Sequence, residues 1–239
     1  MPARRRVVLL QARDDPRALA HERHCFLEVA GLEPDELECI NLVDVPAISW
    51  QRLQDTDAVL IGGAGSHSVT KSYPFSAALA DTVCRIVEEN RPLFGSCWGH
   101  HVLVQVLGGK VVSEHRVGEV GTFEIELTEA GVRDPLFQGL PRRFPAQLGH
   151  HDRVLRPPPG MQELAFSDRC RYQVMRVNGK PVYGTQFHSE MNARHLQARL
   201  KMYRETYLSE RSAAAELARK LRPSPEVEGL LRRFLNLYV

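Results

Sequence analysis

Residues 92–109 run PLFGS, then Cys-Trp-Gly, then HHVLVQVL and a Gly-Gly pair. The first piece is a short apolar run, the reading of a buried strand. The third has helical spacing and stops at Gly108 and Gly109. A strand that turns straight into a helix is one unit of a parallel α/β sheet, and the same alternation fills the first half of the chain. Strands are expected at 5–11, 37–42, 57–63 and 92–96, with helices at 16–30, 75–89 and 100–107. Further strands are expected at 110–113, 121–127, 144–148, 173–177 and 181–187, several joined by turns such as Asn-Gly-Lys at 178–180, and this half is richer in antiparallel signals. The expected fold class is therefore α/β, a mixed and largely parallel central sheet with helices on both faces. After Asn192 the pattern becomes helical in "LQARLKMYRETYL", "SAAAELARKL" and "EVEGLLRRFLNLY", interrupted at Pro223 and Pro225. Leu196, Leu200, Tyr203 and Tyr207 form one apolar stripe, and Val227, Leu230, Leu231, Phe234 and Leu235 another. The expected organisation is a domain at 1–195 and a helical C-terminal extension at 196–239 packed on it.

A chain of 239 residues with 43% hydrophobic and 25% charged residues has the size and composition for such a core. Its net charge of +2 gives no basic footprint for nucleic acid. The N-terminal MPARRRVVLLQARDD has too short an apolar run for a signal peptide. No stretch reaches membrane-spanning length, so a cytoplasmic location is expected. The five cysteines (Cys25, Cys39, Cys84, Cys97 and Cys170) are widely spaced without CxxC pairs, which argues against a disulfide framework or zinc site.

Only Cys97 has unusual neighbours. Gly95-Ser96-Cys97-Trp98-Gly99 is a G-x-C-x-G form of the nucleophile elbow, in which glycines on either side let strand and helix pack closely. The thiol then sits at a helix N-terminus, where the dipole favours thiolate and the Trp98 amide faces a developing oxyanion. A thiolate nucleophile wants a base and an orienting acid. "VYGTQFHSE" at 182–190 supplies His188 and Glu190, whose side chains share a face of an extended segment.

Together these residues resemble the class I glutamine amidotransferases, whose glutaminase unit also occurs in guanylate, anthranilate and carbamoyl-phosphate synthesis. "LIGGAGSHSV" (60–69) corresponds to the family's glycine-rich oxyanion loop, "GSCWGHH" to its nucleophile motif and "GTQFHSE" to its His-x-Glu motif. "GHHD" (149–152) stands where the family often has His-Gly-Asp. The resemblance covers roughly residues 5–195, and "GEVGTFEIELTEAG" with "DPLFQGLP" is similar to the stand-alone branch related to the guanylate synthase glutaminase. It implies a flavodoxin-like fold and a Cys97–His188–Glu190 triad that cleaves the γ-glutamyl amide of glutamine or another γ-glutamyl compound through a thioester. It further implies an oxyanion hole from Gly63 and Trp98, and a substrate pocket lined by Gly65, His101, His150 and His151.

Two positions depart from the family. His101 replaces the Gln four residues after the nucleophile, and His151 replaces the turn glycine; both are expected to narrow the pocket or change its γ-glutamyl substrate. Adjacent His100 and His101 point about 100° apart on a helix, so no metal is expected, and no cofactor. No acceptor domain is visible. The chain then reads as a glutaminase docking on a separate ammonia-accepting synthase, as a self-sufficient γ-glutamyl peptide hydrolase, or as a non-catalytic binding module. An ester-type α/β hydrolase orders its triad nucleophile, acid, histidine, whereas here the acid follows the histidine. No nucleic acid or membrane partner is expected.

Overall fold

The computed structural model describes residues 4–203 and 221–239. In chain order its elements are β1 (Val7–Gln11), α1 (Pro16–Ala30), β2 (Leu37–Asn41), α2 (Trp50–Leu53), β3 (Ala58–Ile61), α3 (Ser76–Glu88), β4 (Leu93–Ser96), α4 (Trp98–Val106), β5 (Lys110–Ser113), β6 (Glu119–Leu127), α5 (Glu129–Arg133), β7 (Arg143–His150), β8 (Asp152–Arg156), β9 (Met161–Phe166), β10 (Val174–Val177), β11 (Val182–Thr185), α6 (Ala193–Met202), α7 (Pro225–Glu228) and α8 (Leu230–Tyr238).

Strand β1 shows why the sheet is covered twice. Val7 and Leu9 join a core with Phe26 and Val29 of α1 and Phe234 of α8. Val8 and Leu10 point the other way, into a core with Val83 and Ile86 of α3 and Leu103 of α4. With alternate residues buried on both faces, the strand has no polar side, which is why its sequence is a continuous apolar run. The strand order is β2-β1-β3-β4-β11-β10-β9-β6-β7. The first five are mutually parallel, and the pairings from β11 to β7 are antiparallel. The mixed, largely parallel sheet with helices on both faces is thus the architecture observed.

Some details differ from expectation. Segment 110–113 leaves the main sheet and pairs with β8 as a two-stranded antiparallel ribbon. β8 and β9 were not expected, because "DRVLR" and "MQELAF" carry charges that break a clean apolar alternation. Helix α4 starts at Trp98, two residues before the expected position, since Cys97 itself is its N-cap.

At the C-terminus, Phe234 is fully buried and meets Phe94 edge-on at 5.3 Å and Tyr183 at 5.9 Å. Val227, Leu230, Leu231 and Leu235 join the same core. Helix α6 is capped by Asn192, whose side chain accepts from the His195 amide in a capping box. The expected helix "SAAAELARKL" and Tyr207 lie outside the described residues.

Candidate active site

The register of β4 against β11 builds the site. Gly95 pairs with Gly184 and Ser96 with Thr185, so the chain leaving each strand emerges at the same edge. One exit carries Cys97 and the other His188 and Glu190. The Cys97 amide donates to Thr185 O at 2.7 Å, which pins the corner. Cys97 adopts φ 51° and ψ −98°, a left-handed conformation that a non-glycine residue holds only when its surroundings impose it. The flanking glycines have no alternative. A Cβ on Gly95 would lie 2.5 Å from the Gly99 backbone, and one on Gly99 would lie 2.4 Å from Ile61 O.

His188 Nδ1 faces Glu190 Oε1 at 2.8 Å, and Ser96 Oγ donates to Glu190 Oε2 at 2.5 Å. The carboxylate thus has a donor on each oxygen in a site where it is fully buried. Burial would lower the His188 pKa, but the charges of Glu190 and Cys97 and hydrogen bonds to both outweigh it and hold it up at about 10. Burial would raise Glu190, and the His188 imidazolium with the Ser96 hydroxyl overrides it and holds the carboxyl low. Burial pushes the thiols of Cys25 and Cys170 up to about 12 and that of Cys39 to about 11. Those three are poor nucleophiles by position.

The glycine-rich loop lies against this pair. Gly99 N–H donates to Gly62 O at 3.2 Å, tying the loop to the first turn of α4 beside Trp98. A Cβ on Gly63 would stand 3.2 Å from His188 Cε1, and the Gly63 amide donates to no group among the described residues.

Two recesses meet at Cys97. One, of about 20 Å³, lies on the His188 side and is lined by Gly63, Arg13, Leu196, Arg199, Leu200 and Tyr203 among others. The other, of about 150 Å³, is lined by Gly65, Trp98, His101, His150, His151 and Asp152 among others. The four residues expected to contact substrate, Gly65, His101, His150 and His151, are therefore brought to one cavity. Their side chains are not equally available. His150 is held from both ring nitrogens, by Glu119 Oε2 at 3.1 Å and Asp152 O at 2.8 Å. His151 packs against His115 with the rings tilted and their centroids 4.5 Å apart. His101 Nε2 contacts Gln186 Oε1 at 2.6 Å, and Gln186 Nε2 in turn approaches Cys97 Sγ at 3.9 Å. Burial holds His101 at about 4, so its neutral ring donates from Nε2 and keeps Nδ1 as an acceptor. His100 turns away, to Tyr172 O at 2.9 Å.

Sequence reasoning assigned no role to Ser96, Gln186, Arg13, Glu22 or Arg199. Ser96 and Gln186 sit inside the quoted motifs and were within reach of a residue-by-residue reading. Arg13 and Arg199 come from opposite ends of the chain, and no local pattern joins them. Among the described residues, one His/Glu cluster has ligand-compatible spacing, His24, Glu28 and His195, and none of the three lines either recess. No helix among the described residues is long and apolar enough to cross a membrane.

Residues 35–202 match the family described as glutamine amidotransferase class-I. The chain belongs to that family. It is 32% identical over 154 residues to one subunit of the glutamine-hydrolysing GMP synthase of Archaeoglobus fulgidus, spanning 64% of this chain and 76% of that one. Against the corresponding subunit from Sulfolobus acidocaldarius the identity is 30% over 182 residues, spanning 76% and 85%. The GMP synthase of Thermosipho melanesiensis matches at 32% over 141 residues, but over only 25% of its own length. The fold is that of solved amidotransferases. A glutamine amidotransferase from Thermotoga maritima superposes with a TM-score of 0.74 at 19% identity, covering 99% of this chain and 98% of that one. One from Methylobacillus flagellatus gives 0.73 at 18%, covering 98% and 92%.

Proposed function

We propose that this chain is the glutaminase half of an amidotransferase, hydrolysing free glutamine to glutamate and ammonia. The supporting observation is the size of the recess beside His188. The leaving group must lie next to the histidine that protonates it, and that recess of about 20 Å³ has room for one water-sized group. A primary amide releases ammonia, which fits. A γ-glutamyl peptide releases a whole amino acid, which needs a wider space than Leu196, Leu200 and Tyr203 leave.

In this reading the Cys97 proton already rests on His188 Nε2, and the thiolate attacks the amide carbon of glutamine. The Gly63 and Trp98 amides hold the oxyanion, and the amino-acid end of the substrate lies in the larger cavity with Gly65, His101, His150 and His151. His188 returns the proton to the departing ammonia as the C–N bond breaks, leaving a γ-glutamyl thioester on Cys97. Water, deprotonated by His188, adds to the thioester, and sulfur leaves as the thiolate beside the reprotonated imidazole. The new carboxylic acid of glutamate gives its proton to solvent. Glu190 keeps Nδ1–H of His188 engaged, so that Nε2 faces the thiol.

The chemistry falls within residues 1–195, and the start of the extension at 196–239 walls the small recess through Leu196, Arg199, Leu200 and Tyr203. Ammonia passes to a separate synthase chain: the relatives named as single subunits of GMP synthase match over 76% and 85% of their length, whereas the longer synthase matches over 25%. The test is glutamate and ammonia release from glutamine by the purified protein, with labelling by a diazo-ketone glutamine analogue. Adduct on Cys97 with Cys25, Cys39, Cys84 and Cys170 unmodified is expected. Labelling elsewhere with Cys97 untouched overturns the assignment.

A further inference from the structure

The small recess carries a charge that the triad does not explain. Arg13, just past β1, is 1% exposed, and its Nη2 contacts the fully buried Glu22 of α1 at 2.5 Å. Arg199 of α6 is 5% exposed, and its Nη1 stands 4.0 Å from the same Glu22 oxygen. Gln11 Nε2 donates to the other oxygen at 3.0 Å. The remaining Arg199 nitrogens face His21 Nδ1 at 3.0 and 3.2 Å. That ring is neutral, since burial and then the Arg199 charge hold it at about 4. Arg13 Nη1 also donates to Tyr203 Oη at 3.1 Å. Two guanidiniums thus share one carboxylate, and among the described residues this buried group keeps one positive charge without an ionised partner. Arg13 Nε has no hydrogen-bond partner among the described residues.

A surplus charge in so buried a place is costly unless something negative faces it. Both arginines line the recess with Cys97, Gly63 and His188. The Gly63 backbone lies between the Arg13–Glu22 pair and the triad: a Cβ there would stand 3.2 Å from Arg13 Nη2, 3.9 Å from Glu22 Oε1 and 3.2 Å from His188 Cε1. Among the described residues, the partner that completes the balance is the reaction itself. With His188 protonated and Glu190 ionised, the negative charge on Cys97 sulfur, and then on the oxyanion at Gly63, brings the buried assembly to neutrality.

We infer that Arg13 and Arg199, sharing Glu22, are positioning residues whose surplus positive charge favours negative charge at Cys97 and in the oxyanion hole. This rests on the reading of Cys97 as the nucleophile. The arginines touch no reacting atom; they act through the field in the recess, and Glu22 sets its strength.

Alkylation by iodoacetate and iodoacetamide tests the field, because the reagents share size and chemistry and differ by one negative charge. Sulfur displaces iodide in both, and mass spectrometry counts adducts on Cys97. The ratio of iodoacetate to iodoacetamide rate at Cys97 should exceed that of glutathione by about tenfold, the scale of one unit charge in a partly buried site. It should fall toward the glutathione value in Arg199→Gln and in Arg13→Gln, stay high in Arg13→Lys, and rise in Glu22→Gln, which removes the compensating carboxylate. A merely structural role would not move the ratio in opposite directions. A wild-type ratio equal to that of glutathione overturns the inference, and it decides alone if the variants fail to fold. A ratio unmoved in folded Arg199→Gln and Glu22→Gln also overturns it. Failure of either reagent to modify Cys97 instead overturns the nucleophile assignment.

Discussion

The two recesses that meet at Cys97 are built on opposite plans. The one beside His188 is narrow and walled on one side by α6, and the side chains around it are committed to one another: Arg13 to Glu22, Arg199 to His21, His188 to Glu190. The one beside His101 is larger and lined by imidazoles and small residues, with His101 keeping an unspent ring acceptor. Binding energy that is equal in ground and transition state does not speed the chemical step. Rigidity therefore belongs where charge develops, and latitude where the substrate is merely held. Changes on the first side should strike turnover, and changes on the second should strike recognition.

The largest effect is expected at their junction. Cys97→Ala should cut glutamate release by about 10⁵-fold or more, the scale of losing a covalent nucleophile, while the melting temperature stays near that of wild type. Residual turnover near the wild-type rate would mean that neither recess is the reaction site.

Next is Glu190→Gln, which keeps the shape of the triad and removes its charge. Turnover should fall about 10³-fold with little change in KM for glutamine. The same variant has a stability signature. His188 is held above its ordinary 6.5 at about 10, so its contribution is whole below 6.5 and is lost as pH rises toward 10. Glu190 is held below its ordinary 4.5, so its contribution is whole above 4.5 and is lost as pH falls below it. The stability difference between wild type and Glu190→Gln, measured by urea denaturation, should peak between about pH 4.5 and 6.5 and shrink on both sides. A flat difference across pH would show that the pair is not ionic.

The tight side was only half legible in the sequence. Cys97, His188 and Glu190 fall in local motifs whose spacing follows strand and helix periods, so one dimension sufficed to bring them together on paper. The recess wall did not yield to that reasoning. Arg13 and Arg199 belong to no local motif, and only the packing of α6 on α1 brings both to the buried Glu22. The fold divides in the same way. The inner parallel strands are runs buried on both faces, such as Val7 to Leu10. β8 and β9 were hidden because one face of each keeps charges that read as loop. At His101 the sequence showed a changed residue but not its partner, Gln186, which approaches from the end of β11.

A smaller effect tests the closed wall. Leu200 is 5% exposed and lines the small recess. Leu200→Ala should cost about 2–3 kcal/mol of stability and open space beside His188. The kcat/KM ratio of γ-glutamyl methylamide to glutamine should then rise about ten- to a hundredfold, since the methyl group gains the room that the leucine filled. An unchanged ratio in a folded variant would place the leaving group elsewhere and remove the size argument for glutamine.

The smallest effect concerns the open side. His101 donates from Nε2 to Gln186 and offers the cavity an acceptor alone, whereas a glutamine here would present both a donor and an acceptor. A mismatched hydrogen bond in a buried polar pocket costs on the order of 1–3 kcal/mol. His101→Gln should therefore lower KM for glutamine by about tenfold and leave kcat within a few-fold, because Cys97, His188 and Glu190 are untouched. The variant should also raise glutamine use relative to γ-glutamyl peptides. Gln186 supplies the control: if the new side chain still contacts it, Cys97 alkylation by iodoacetamide keeps its wild-type rate. A His101→Gln enzyme that loses kcat instead of gaining affinity would show that the imidazole acts through Gln186 on the thiol, and that the open recess shares in the chemistry.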